Sequence, residues 1–307
     1  MSAIASKPAW ALFAGASLWG IVWYPYRLLA QAGLDGIWST ALTYGLALAV
    51  GCAIFPRSFA ALRRAPPLSA FLMAAAIGWS NLAYVVAVLD GSVMRVLLLF
   101  YLAPLWTVPI AWIVLDEKLD RAAAATMLLA LAGAVVMLWR PELGMPWPAS
   151  RSEWLAVIAG FLFALGNVLV RRNHTMGDAE KSIAIWIGVT VAALAHAPWS
   201  DLDASAVREL ALANAMLVGG VGLALVAMSL AMQYGLSRMP ANRAIVLLLV
   251  ELPIAVLAAW VLAGEVPRLQ DWVGGLLIVG ATLVTGLRGE SAAHSLPYGS
   301  SSTHGEG

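Results

Sequence analysis

The sequence predicts an all-α integral membrane protein with ten transmembrane helices, arranged as two inverted five-helix repeats around a central cavity. Three observations predict it. Apolar residues make up 62% of the 307-residue chain and charged residues 11%, with a mean hydropathy of +0.84, whereas a soluble domain is about a quarter charged. Ten apolar runs follow one another, at about 10–31, 37–56, 68–90, 93–115, 121–139, 153–170, 182–199, 211–236, 241–264 and 269–287, each of a length that lets a helix cross a bilayer. The two halves of the chain also match at a nearly fixed offset, the mark of an internal duplication.

The first run, WALFAGASLWGIVWYPYR (10–27), matches the sixth, WLAVIAGFLFALGNVLVR (154–171), with Trp and Arg 17 apart in both. The fourth, RVLLLFYLAPLWTVPIAWIVLDE (95–117), matches the ninth, RAIVLLLVELPIAVLAAWVLAGE (243–265), with Arg and Glu 22 apart and Pro104 and Pro253 out of register by one place. Five spans per unit is an odd number, so the second copy enters the bilayer from the opposite face. A solute site is then expected near the midplane, at the repeat interface. The expected division is 1–140 for the first repeat, 150–288 for the second and 289–307 for a disordered cytoplasmic tail ending SSSTHGEG.

Basic residues set the orientation. With the N-terminus inside, twelve Lys and Arg fall on the cytoplasmic side and six (Arg27, Arg95, Arg140, Arg151, Arg208, Arg268) on the other, which predicts both termini in the cytoplasm. The first run is read as a retained span, since it has a counterpart later in the chain where no signal peptide could stand. Cys52, the only cysteine, lies within the second span and is read as a packing residue. A net charge of +1 and short loops argue against a nucleic-acid partner and against a separate soluble domain.

Helical spacing picks out candidate site residues. Trp19, Trp23 and Tyr26 lie at i, i+4 and i+7 in the first span, and Phe163 and Asn167 take the places of the first two in the sixth. Ser80, Asn81 and Tyr84 stand near the middle of the third span, matched in the eighth by Met228, Ser229 and Met232, while Tyr101 and Trp106 add rings from the fourth. Each has a structural alternative. The aromatic stripes line a solute path or pack between helices. An amide in hydrocarbon needs a partner, so Asn81 and Asn167 bind a solute or bond a neighbouring helix. Trp10, Trp139, Trp147, Trp154 and Trp272, near span ends, are read as interfacial anchors, and Arg95 and Arg243 as snorkelling groups.

Pro104 and Pro253 remove backbone donors, and Pro253 frees the carbonyl of Leu249. Kinked helices that expose such groups to a solute are expected there, with packing kinks as the alternative. Glu251 lies seven residues into the ninth span, about 10 Å from its cytoplasmic end by helical rise, and has no acidic counterpart in the first repeat. An ionisable group at that depth is costly. Three readings are open: a proton site, a site for a substrate ammonium, and a structural carboxyl bonded to a freed backbone group.

The repeat ends LDEKLDR (115–121) and LAGEVPR (262–268), the Pro104 and Pro253 helices and the ten-span layout resemble the drug/metabolite transporter superfamily with two EamA-type repeats, over residues 10 to 288 or so. Within it SNLAY (80–84) and FYLAPLWT (100–107) are most similar to YddG-type exporters of aromatic and other neutral amino acids, although Ala103 stands where those carry Trp. The resemblance implies a secondary transporter of the bacterial inner membrane that exports such amino acids, or similar small metabolites, by alternating access. Its partners would be a small-molecule substrate and the lipid bilayer, with protons as a candidate coupling ion, in a monomer or weak oligomer.

Export of drug-like or cationic compounds is an alternative, and an intramembrane enzyme a lesser one. His174, His196, His294 and His304 fall in loops, span ends or the tail, and neither H-E-x-x-H nor G-x-S-x-G occurs. No catalytic residue, metal or cofactor is therefore expected. No G-x-x-x-x-G-K-[ST] loop occurs either, so direct drive by ATP is not expected.

Overall fold

The computed structural model describes residues 7–64, 68–90, 93–139, 148–264 and 266–293. Arg140, Trp147, Glu265 and the stretch from 294 onward lie outside them, as do the side chains of Arg64, Arg95 and Arg288. In chain order the helices are α1 (Lys7–Gln31), α2 (Gly36–Ile54), α3 (Pro56–Arg64), α4 (Leu68–Asp90), α5 (Val93–Phe100), α6 (Ala103–Leu115) and α7 (Arg121–Leu138), then α8 (Arg151–Arg172), α9 (Asp178–His196), α10 (Ala204–Ala213), α11 (Ala215–Arg238), α12 (Ala241–Leu248), α13 (Glu251–Ala263) and α14 (Leu269–Ala293). No strand occurs among the described residues. The protein is an all-α, multi-pass membrane protein. Among the described residues eight segments are long and apolar enough to cross a bilayer, and helices α1 and α14 stand where the first and tenth spans were expected.

Helix packing follows a twofold exchange of the two halves. α4 lies along α8 as α11 lies along α1, and α4 along α9 as α11 along α2. α6 lies on α8 as α13 lies on α1, while α2 meets α9 and α7 meets α14 across the axis. Close crossings depend on small residues, as they do wherever lipid supplies no hydrophobic drive between helices. At the α4–α9 crossing a Cβ on Gly188 would collide with the carbonyl oxygen of Ala74.

The structure departs from the sequence reading in three places. The fourth and ninth spans are not single helices: α5 stops at Phe100 before α6, and α12 stops at Leu248 before α13. The connection between second and third spans holds a short helix in each half, α3 and α10, whose apolar sides (Phe59 and Leu62; Val207 and Leu210) dock on the bundle. Asp203 caps α10 by accepting from the Ala206 amide at 2.7 Å, and that bond holds its carboxyl below the ordinary carboxylate range. Finally, α14 continues to Ala293, into the stretch expected to be tail. Trp10, Trp139, Trp154 and Trp272 are all exposed near span ends, where anchors belong.

Candidate functional site at the helix breaks

Neither Tyr101-Leu102 nor Leu249-Val250 contains a helix-breaking residue; the prolines lie just beyond. Pro104 is the second residue of α6 and Pro253 the third of α13. A proline in a first turn gives up a donor that has no partner there, so each starts a helix instead of kinking one. Across the second break the bonds tighten to i→i−3: Leu249 N to Val246 O at 3.3 Å, Val250 N to Leu247 O at 3.2 Å, and Leu252 N to Leu249 O at 3.1 Å. The Leu249 carbonyl, expected to face a solute, is therefore occupied by Leu252.

The breaks touch the partner half through glycines. On Gly160 of α8 a Cβ would stand 2.7 Å from the Phe100 carbonyl oxygen, and on Gly20 of α1 it would stand 2.7 Å from that of Glu251. Such positions admit only glycine. Close backbone approach thus brings both breaks to the interface between halves.

Tyr101 occupies the first break and Glu251 opens α13 at the second. The Tyr101 hydroxyl and the Glu251 carboxyl group lie close enough to interact, which brings the two breaks together. Phe100 is the hub of the surrounding rings, with centroids 5.0 Å from Tyr84, 5.2 Å from Tyr101 and 5.3 Å from Phe163. Tyr84 and Glu251 keep partial accessibility although they lie deep in the protein. Trp19 is half-buried against the core beside Gly20, and Trp23 stacks edge-on with Tyr24 at 5.6 Å. Tyr26 shares a hydrogen bond with Thr43 of α2 at 2.7 Å.

Other candidates lie elsewhere. Asn81 faces a narrow crevice with Thr40, Val85 and Val189, and its Oδ1 has no partner. Ser80 donates to the Ala159 carbonyl at 2.9 Å. Ser229 accepts the Trp186 indole N–H at 3.0 Å, which is interhelical bonding. Met232 fills the space over Gly15 between α11 and α1. Trp106 is 38% exposed and packs edge-on against the exposed Phe161, on an outward flank. Asn167 is buried, one turn beyond Phe163, with Nδ2 unpartnered. Sequence reading missed Phe100, because one Phe in an apolar run carries no mark of its neighbours on α4 and α8.

A second polar cluster ties the ends of α6, α8, α9, α11 and α12, the side expected to face the cytoplasm. Arg171 pairs with Glu117 at 3.3 Å and donates to the Ser237 carbonyl at 2.9 Å. Glu117 also accepts the Ala241 amide at 2.8 Å, capping α12. Lys181 donates to the Ser237 hydroxyl at 2.7 Å, and Arg238 pairs with Asp178 at 2.8 Å while lying 4.0 Å over the Tyr234 ring. In the sequence Glu117 and Arg171 mark the ends of the repeat matches, and Lys181 and Arg238 count among the cytoplasmic charges; their joining in this latch is a finding of the structure.

A bundle of membrane-crossing helices in exchanged halves, with two broken helices meeting at its centre, is the architecture of a membrane transporter. Residues 150–287 match the EamA-like transporter family, whose members move small molecules across membranes, so the second half of the chain carries an EamA-like domain. A protein known from its crystal structure shares the fold with a TM-score of 0.72 at 20% identity, over 94% of this chain and 100% of that one. No curated protein matches the chain.

Proposed function

We propose that the protein is a secondary transporter of the bacterial inner membrane that exports amino acids, aromatic and other neutral ones, by alternating access. Residues 1–140 and 150–288 act as its two inverted repeats, with both termini cytoplasmic. The observation that carries this reading is the juxtaposition of Tyr101 and Glu251 at the meeting of the two breaks, beside the ring cluster of Tyr84, Phe100 and Phe163. A carboxylate suits a solute's ammonium and the rings suit its side chain; Trp19 and Trp23 extend the wall along α1. The latch around Glu117 and Arg171 closes the cytoplasmic end, and rocking of the halves opens it.

A second reading, export of organic cations or drug-like compounds, draws on the same arrangement, since a carboxylate among aromatic rings also holds alkylammonium groups. Counterflow in proteoliposomes tests both, with labelled L-phenylalanine against a labelled quaternary ammonium compound, with and without a pH gradient. Amino acid export predicts exchange of phenylalanine that falls about tenfold or more in Tyr101→Ala and Phe100→Ala. Exchange of the quaternary compound alone would overturn it. If Glu251 carries a coupling proton, Glu251→Gln abolishes the dependence on the gradient; if it only binds ammonium, Glu251→Gln weakens binding with the gradient response unchanged.

A further inference from the structure

Three side-chain amides are buried just inside the latch, each with a polar atom that has no partner: Asn167 Nδ2 on α8, Gln233 Oε1 on α11 and Asn242 Oδ1 on α12. Their exposures are 6%, 4% and 5%. The latch fixes their level. Arg171 reaches the Ser237 carbonyl at 2.9 Å, so the ends of α8 and α11 meet, and one turn back along each stand Asn167 and Gln233. Glu117 takes both Arg171 and the Ala241 amide, and Asn242 is the next residue. The three helices touch one another pairwise. Phe163, one turn deeper than Asn167, touches Phe100, so the amides lie between the latch and the Tyr101–Glu251 centre.

A buried amide without a partner is costly, and three on adjoining helices call for a ligand present in another state of the cycle. Their chemistry fits one class. Two carbonyl oxygens accept from an ammonium, and one amide N–H donates to a carboxylate. None is charged, so a zwitterion held there is released without breaking an ion pair. The corresponding residues of the first half, Trp23, Val85 and Met94, offer no side-chain carbonyl for an ammonium, and only the Trp23 indole N–H as a donor. Recognition of this kind therefore exists at one end only.

We propose that Asn167, Gln233 and Asn242 form a loading site for the zwitterionic head of an α-amino acid, filled when the latch opens to the cytoplasm and emptied toward Glu251 when it closes. The inference rests on the amino acid export reading and adds a second station to it.

The test uses the full chain in inside-out and right-side-out vesicles with labelled L-phenylalanine, competed by phenethylamine, which lacks the carboxylate, and by 3-phenylpropionate, which lacks the ammonium. Asn167→Leu and Gln233→Leu should raise the half-saturating concentration about tenfold from the cytoplasmic side and less than about twofold from the other. The wild type should discriminate against both competitors, and the variants should lose that discrimination on the cytoplasmic side alone. Thermal unfolding separates a folding defect: leucine removes the orphaned groups, so the midpoint should hold or rise, and Asn167→Ser and Gln233→Ser replace any variant that fails to insert. Transport by the wild type with variants unchanged, or changed equally on both sides, overturns the loading site and leaves the exporter standing. A wild type that moves none of the amino acid overturns the export reading and the loading site with it.

Discussion

The carboxylate of Glu117 and the guanidinium of Arg171 lie 3.3 Å apart with side chains 20% and 32% exposed, and the second Glu117 oxygen caps α12 at Ala241. One residue thus links α6 to α8 by charge and to α12 by a backbone bond. Glu117→Gln keeps an acceptor for the Ala241 amide and removes the ion pair. Because the pair is partly open to water, the expected loss of stability is about 1 kcal/mol. The larger effect should be on access: a cysteine at Asn242, in a Cys52→Ala background, should react several-fold faster with a membrane-impermeant maleimide added from the cytoplasmic side. Equal labelling rates would show that the pair does not hold this end shut.

Ser229 stood among the expected substrate residues, and its hydroxyl is instead occupied by the Trp186 indole at 3.0 Å, deep between α9 and α11. Ser229→Ala leaves a buried N–H without an acceptor, which costs about 1–3 kcal/mol. Denaturation in detergent should show that loss, while the half-saturating concentration for transport stays at the wild-type value. A changed affinity at unchanged stability would return Ser229 to the site.

Much of this architecture is legible from residues whose physics is local. Pro104 and Pro253 announce trouble in the fourth and ninth spans because proline always lacks a donor. They do not announce that the helices stop at Phe100 and Leu248, because Tyr101-Leu102 and Leu249-Val250 contain no helix breaker and the close approach of the neighbouring carbonyls to Gly160 and Gly20 is visible only in the fold. Glu251 stands out as a charge in hydrocarbon, whereas its closeness to Tyr101, in the break of the fourth span 150 positions away in sequence, becomes visible only in three dimensions. Gln233 carried a signal that went unread: an amide inside the eighth apolar run is as costly as Asn81 or Asn167. Helices α3 and α10 were hidden by their length, too short to show a periodicity against charged surroundings.

The crossing of α4 and α9 depends on Gly188. A side chain there meets the Ala74 carbonyl, which is held in its helix and cannot rotate away, so the two helices would have to separate along a long contact. Gly188→Ala should cost about 2–4 kcal/mol, comparable to severe overpacking, and should lower the yield of folded protein. Gly219→Ala is the control, since a Cβ there meets nothing within 4 Å. Equal yields from the two variants would mean that this crossing is looser than its geometry.

Asp116 ends α6 in the left-handed region at φ 55°, and Gly264, 148 positions later, ends α13 there at φ 69°. The turn is needed in both: at Asp116 it lets the amides of residues 116 and 117 close on the Trp112 and Ala111 carbonyls at 3.1 and 3.2 Å, the pattern that satisfies a helix end. Only one half carries the residue that adopts this conformation freely. A side chain in the left-handed region costs about 1 kcal/mol, less for aspartate than for most. Glycine removes that strain but loosens the unfolded chain. At φ 55° the first effect wins, so Asp116→Gly should stabilise the protein by about 0.5 kcal/mol, and Gly264→Ala should destabilise it by about 1 kcal/mol. Asp116 is exposed, and the exchange leaves Glu117 aimed at Arg171, so transport should be unaffected. Thermal unfolding in detergent checks both signs. A less stable Asp116→Gly would mean that the aspartate side chain, and not the backbone turn, is what this position requires.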